Sequence, residues 1–235
     1  MRLISLISLL AFTASCSAES QAPVPQTQEP PQPQISKIAT PEILGTTVKY
    51  AEHLIGSPAM REGADLSGNK INTYRMEKCV IELGIDGSNV VSVRLHLING
   101  CDVDVSDIVN KPNTKATETT FKDYAYRGDL HFTDPQLPSC NACGEGPVYA
   151  LIDGVGATGN YDIQLGAFGV IHDEYQVWRD LLRSAGVDGD TLPTTAEGCP
   201  LRKYDEQAFS LMKDFKVESI AFGQRGYLQP ACRGN

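Results

Sequence analysis

The sequence predicts an α+β domain in which an antiparallel sheet carries its helices on one face and disulfides brace the whole. Three observations predict it. The stretch "CVIELGIDGSNVVSVRLHL" alternates apolar and polar residues on both sides of a turn. Two later segments, 174–186 and 203–215, carry apolar residues at helical spacing. The chain also holds seven cysteines, behind an N-terminus that reads as an export signal. An oxidising compartment makes disulfides the default state of such cysteines.

The elements follow in order. Met1 and Arg2 give a short positive start, and the apolar run Leu3 to Phe12 comes next. That run is shorter than the roughly 20 residues a bilayer span needs, and it fits the hydrophobic region of a signal occupying residues 1–15. Residues 16–39 follow. From Ser20 to Gln34 they are rich in Pro and Gln, with Val24 as the only large aliphatic residue. Such a segment cannot bury a core and reads as an extended tether, reaching at most roughly 60 Å.

Residues 40–235 read as the globular domain, with a sub-division conceivable near 110–120. "TPEILGTTVKYAEHLIGSP" predicts a helix with Thr40 as cap, Pro41 and Glu42 in the first turn, an apolar stripe of Leu44, Val48, Ala51 and Ile55, and a stop at Gly56 and Pro58. His53 lies off the stripe and reads as solvated. In the hairpin, Cys79, Ile81, Leu83 and Ile85 face the core from one strand, and Val91, Val93, Leu95 and Leu97 from the other, with residues 86–89 as the turn. This register pairs Ile85 with Val91, Leu83 with Val93, Ile81 with Leu95 and Cys79 with Leu97. His96 falls on the polar face. Residues 123–134, 146–153 and 160–170 predict further strands. Helices follow at 174–186, with Val177, Trp178, Leu181, Leu182 and Ala185 inward, and at 203–215, with Tyr204, Ala208, Leu211, Met212 and Phe215 inward. "VESIAFG" predicts a last strand. No internal repeat is visible.

Composition excludes some partners. The net charge of −9 repels nucleic acid and anionic lipid, and no run of Lys and Arg offsets it. Motifs exclude some chemistries. Gly154, Gly156 and Gly159 match the spacing of a dinucleotide fingerprint, but an alternating segment follows where a helix is required, so they read as a loop between strands. Asp102 and Asp104 offer a loose metal site. An EF-hand loop starting at Asp102 fails, because Asp107 and Asn113 stand where Gly and Glu are needed. The two aspartates fit the wet face of an extended segment better. His172 and Asp173 stand at a strand-to-helix junction, and His131 is the second histidine to consider with them, as a catalytic or metal-ligating group. The helix dipole alone also explains the acids at that junction. Serine-hydrolase, zincin and Walker motifs are absent. No cofactor is predicted.

The cysteines are Cys16, Cys79, Cys101, Cys140, Cys143, Cys199 and Cys232. Setting Cys16 aside leaves an even number. Cys140 and Cys143 are followed by Gly144, Gly146 and Pro147, which cannot begin a helix that would activate a thiol. A local disulfide is the favoured reading, ahead of links to other cysteines, metal or redox chemistry. The favoured pairing is 79–101, 140–143 and 199–232. In the hairpin register Cys101 lies roughly 13 Å along a straight strand from the partner of Cys79, whereas a disulfide needs Cα atoms within about 7 Å. That bond therefore requires a bend at Asn99-Gly100.

The tetrad "TASC" resembles the lipobox of bacterial lipoproteins. The resemblance implies lipidation of Cys16 as the new N-terminus and, with Ser17 rather than Asp beside it, sorting to the outer membrane. Cleavage after Ala18 is the alternative. Residues 40–105, with a helix closing on "LIGSP", then "Y…C.I.L.ID" and "V.SVRL", resemble the outer-membrane assembly lipoproteins of the SmpA/OmlA type and the β-lactamase-inhibitor-like modules. The resemblance implies protein binding and supplies no catalytic residues. The expectation is a periplasmic, lipid-anchored binding domain whose partner is an envelope protein or surface component. The alternative is an envelope hydrolase or metal-dependent enzyme built on His131, His172 and Asp173.

Overall fold

The computed structural model describes residues 35–65, 68–132, 148–168, 173–186 and 202–228, all within one compact unit, Pro31–Asn235. The first helical turns are α1 (Ile35–Ile38), a 3₁₀ turn at Pro41–Ile43, and α2 (Val48–Ile55). A meander follows: β1 (Arg61–Ala64), β2 (Lys70–Met76), β3 (Cys79–Asp86) and β4 (Asn89–His96). A largely helical passage contains α3 (Ser106–Val109) and 3₁₀ segments at Ala116–Glu118 and Phe121–Arg127. A second meander comprises β5 (His131–Phe132), β6 (Val148–Val155) and β7 (Tyr161–Ala167). Then come α4 (Asp173–Ser184), α5 (Asp205–Met212) and β8 (Ser219–Gln224). None of the described helices is long and apolar enough to cross a membrane.

The strands form one antiparallel sheet in the order β1-β2-β3-β4-β8-β7-β6-β5. The last strand in sequence lies in the middle and joins the two meanders, pairing with β4 on one side and β7 on the other. The α+β class is as predicted. Ile81, Leu83, Val93, Leu95, Ile220, Phe222, Ile163 and Leu165 share one sheet face by register. They form one buried cluster with Ala51 and Ile55 of α2, Trp178 and Leu182 of α4, and Ala208 and Met212 of α5. The helices therefore pack on that face.

Predicted and observed elements differ in instructive places. The first helix is broken. Gly45 takes a left-handed φ of 81°, and the true cap is Thr47, whose Oγ1 accepts from Tyr50 N–H at 3.3 Å; Thr40 accepts no such bond from its side chain. The stop at Gly56 is as predicted, again left-handed. In the hairpin, Ile81 pairs with Leu95 and Leu83 with Val93, but a bulge at Gly84/Ile85 sets Ile85 opposite Val90. Of the strand predicted at 123–134, residues 133–134 lie outside the described residues, and 123–132 are not a strand along their length. A 3₁₀ helix occupies Phe121–Arg127, closed by a capping box between Thr120 and Asp123, and among the described residues of this segment the strand is His131–Phe132. Val177 is half-exposed and Ala185 is exposed, so of the residues predicted inward Trp178 and Leu182 are buried and Leu181 is partly buried against the core. β1 and β2 were not anticipated.

The Cys79–Cys101 disulfide is present, with a Cα separation of 4.7 Å. The required bend lies where expected, with Asn99 at φ 56° and Gly100 at φ 80°. Cys16, Cys140, Cys143, Cys199 and Cys232 lie outside the described residues.

Candidate functional site

The sheet's other face is polar and has a simple logic. Register places Glu82, Arg94, Ala221, Gln164, Leu151 and His131 in one row across β3, β4, β8, β7, β6 and β5. Direct partners in an antiparallel sheet share a face, so this row puts a charged group near each end. Leu151, Ala221 and Leu228 form a small apolar cluster between the two ends.

At the first end, Arg94 lies down across the sheet. Ala221, its partner on β8, is small enough to be crossed, and Arg94 Nη2–H donates to Gln164 Oε1 at 2.5 Å. The guanidinium stands 5.2 Å from the Tyr149 ring centroid. Tyr149 can lie inward because its neighbour Gly166 has no side chain; a Cβ there would meet the Tyr149 ring at 2.9 Å. Glu82 is closer to His96, at 3.2 Å, than to Arg94 Nε, at 3.6 Å. Its hydrogen bond with His96 holds the Glu82 carboxyl below its ordinary range, against the opposing effect of burial. Arg94 Nη1 is buried with no hydrogen-bond partner among the described residues. A cleft of about 240 Å³ borders these groups, lined also by Asp65, Ser92 and Tyr227.

At the other end, β5 is the last strand, so one of its N–H groups faces away from the sheet. Asp205, at the start of α5, takes it: Oδ1 accepts from Phe132 N–H at 3.0 Å. Its Oδ2 lies 2.8 Å from His131 Nδ1. Arg202 Nη2–H donates to Asp153 Oδ2 at 2.8 Å, and Nη1 is 3.8 Å from Asp205. His131, Arg202 and Asp205 edge a cleft of about 410 Å³ with Asp129, Glu206 and Phe209. Burial pushes the Asp205 carboxyl up to about 6, although the Phe132 N–H and the Arg202 charge pull it down.

The raised carboxyl has a measurable consequence. An aspartate whose folded pKa lies above its unfolded value of about 3.9 contributes stability in full below that value. The contribution is lost as pH rises through the folded pKa, here about 6. Wild type is therefore expected to lose about 2 kcal/mol between roughly pH 4 and 6 from this group. Asp205→Asn should flatten that window in urea titrations at stepped pH. An identical pH profile in the variant would exclude the assignment.

The residues singled out from sequence fare differently. His131 does belong to a polar cluster, but its described carboxylate partner is Asp205. Asp173 is exposed in the first turn of α4, where the helix dipole favours an acid. His172 lies outside the described residues. Asp102 and Asp104 are occupied by the backbone. Asp102 accepts from Val103 N–H, Thr117 N–H and Thr117 Oγ1, and Asp104 accepts from Ser106 N–H, ahead of α3. No group of three or more His, Cys, Asp or Glu residues that could hold a metal is found among the described residues. Alternation from Cys101 to Val105 nevertheless survives as buried and wetter positions. Gly154, Gly156 and Gly159 turn the chain from β6 into β7 with left-handed φ values, as the loop reading requires. His53 is exposed. His96 is half-buried and paired with Glu82, where solvation was expected.

Sequence reasoning missed Arg94, Gln164, Arg202 and Asp205. A local signal existed for one: Arg94 alternates with apolar residues in "VSVRLHL". Gln164 meets Arg94, Arg202 meets Asp153 and Asp205 meets His131 only through long-range pairing; the Arg202–Asp205 contact is local. Comparisons with protein-family models, with curated proteins and with solved structures find no match to the chain.

Proposed function

We propose that the protein is an exported, lipid-anchored envelope protein, held at the outer membrane through Cys16, whose domain binds an envelope protein or surface component without catalysis. The observation that carries the binding reading is the division of labour between the two sheet faces. The described helices bury their apolar side chains on one face, while the other presents half-buried charged and aromatic groups around a cleft. Such a mixture suits recognition, because aromatic and Arg side chains dominate binding surfaces. The signal, the lipobox-like tetrad and the Pro/Gln-rich tether support the anchored location.

Two measurements test this. Cells fed labelled palmitate should label the wild type and not Cys16→Ser; equal labelling would overturn the anchor. A photo-crosslinker placed at Thr73, next to Glu82 on the polar face by register, should give a discrete partner adduct in cells. The same group at Val177, exposed on α4, should not. Equal adducts from both positions would remove the polar face from the proposal.

A second reading, an envelope hydrolase, is favoured by one observation. Asp205 orients His131 through Nδ1, which is how a carboxylate prepares an imidazole to act as general base through Nε2. It predicts turnover of a panel of esters and amides that is lost in both His131→Ala and Asp205→Asn. Absence of turnover in the wild type would sink it.

A further inference from the structure

We infer that Asn99 is a site of spontaneous covalent modification: the Gly100 nitrogen attacks its side-chain amide, ammonia leaves, and the bend beside the Cys79–Cys101 disulfide acquires an isoaspartyl linkage. The inference is independent of the polar face and of the partner proposed for it.

Asn99 and Gly100 are the two central residues of a tight turn. Cys101 N–H donates to the Ile98 carbonyl at 3.0 Å, and the central residues have φ values of 56° and 80°, the pattern of a type I′ turn. Both are exposed. Among the described residues, no hydrogen bond engages the Asn99 side chain or the Gly100 N–H. In a type I′ turn that nitrogen points away from the Asn99 side chain. Rotating the peptide plane between the two residues converts the turn to type II′, keeps the Cys101–Ile98 bond, and swings the nitrogen alongside Asn99 Cγ. Gly100 accepts the new φ freely and has no Cβ to crowd the attack. A type II′ turn favours Gly at its first central position, so the flipped turn is a minority state whose population sets the rate.

Two other asparagines show what sets Asn99 apart. Asn110 and Asn113 are also exposed and left-handed, with φ values of 52° and 54°. At each, the next N–H is already bonded: Lys111 N–H donates to the Ser106 carbonyl at 3.2 Å, and Thr114 N–H to Ser106 Oγ at 2.9 Å. The residue after each also carries a side chain. At Asn99 both obstacles are missing. The Gly100 N–Cγ bond forms, the Cγ–Nδ2 bond breaks, and the Gly100 amide proton departs with the amide group as ammonia. Water then opens the five-membered ring. Breaking the new N–Cγ bond leaves an ordinary aspartate. Breaking the bond from nitrogen to the Asn99 carbonyl carbon leaves isoaspartate, whose main chain runs through Cβ and is one carbon longer. That longer chain no longer fits the turn that carries Cys101 to within 4.7 Å of Cys79, Cα to Cα.

Peptide mapping of the folded, oxidised full chain after incubation in mildly alkaline buffer tests this. Asn99 should convert to aspartate and isoaspartate, the latter marked by isoaspartyl methyltransferase, while Asn110 and Asn113 keep their amides. Gly100→Ala should slow conversion roughly tenfold by crowding the attacking nitrogen. A Cβ there has room, its nearest neighbour being the Lys78 side chain at 3.5 Å. Strain at the left-handed φ would loosen the turn and speed conversion, so a slower rate reports the blocked attack and not misfolding. Isolated isoaspartyl chains should melt below Asn99→Asp, which has the same charge without the longer main chain. Four results would each overturn the inference. Asn99 could stay an amide in the folded chain while converting in guanidinium, which would mean that the turn does not flip. Asn110 or Asn113 could convert as fast as Asn99. Gly100→Ala could convert at the wild-type rate. Isoaspartyl chains could melt with Asn99→Asp.

Discussion

Trp178→Ala is expected to destabilise the domain by about 3–5 kcal/mol, the range for removing a large aromatic from a packed core. Trp178 is fully buried and is the largest such side chain among the described residues. Its ring meets Tyr204 edge-on at 6.5 Å, so its loss opens a cavity between α4 and the segment leading into α5. Its indole Nε1 has no hydrogen-bond partner among the described residues, so Trp178→Phe removes that donor as well as part of the ring. That variant should lose much less. Denaturant unfolding followed by circular dichroism measures both. A loss below about 1 kcal/mol for Trp178→Ala would show that α4 does not pack through this residue.

Removal of the Cys79–Cys101 bond is the second large effect. The cysteines are 22 residues apart, and closing a loop of that length in the unfolded chain is worth about 3 kcal/mol in the chain-entropy model. For a domain of this size the loss should lower the melting temperature by on the order of 10 °C. Replacing both cysteines with serine tests it without leaving a free thiol. A double variant that melts with the wild type would mean that the bend at Asn99-Gly100 and the packing of Val103 and Val105 already hold this segment.

The hairpin was legible in the sequence because one face of β3 and β4 is buried, and burial on one side writes a period of two. Its bulge was less visible, although Val90 and Val91, adjacent and both buried, are the mark that one extra residue leaves. β1 is exposed at every position, so it carries no hydrophobic pattern. β2 hides its pattern differently. Asn72 occupies a core-facing position and is buried there, donating to Tyr74 Oη, which in turn donates to Glu52. The candidate sites were the least legible part. Ser92, Arg94 and His96 read as a wet strand face, and they would be one if β4 ended the sheet. Insertion of β8 beside β4 makes it a central strand, and the same residues become half-buried and mutually paired. His131 finds Asp205 across 74 residues of sequence, a distance at which no local pattern acts.

The central place of β8 also shapes how the chain must fold. β4 closes at His96 and β8 opens at Ser219, so the pairing that makes the sheet continuous is among the most distant in the molecule. Such contacts form late and slowly, because long loops must close before any bond rewards them. Until β8 arrives, the two meanders are separate sheets, and the inner edges of β4 and β7 are bare templates for another chain. The time β8 takes to reach β4 and β7 therefore sets how long the chain is open to edge-to-edge association with other chains.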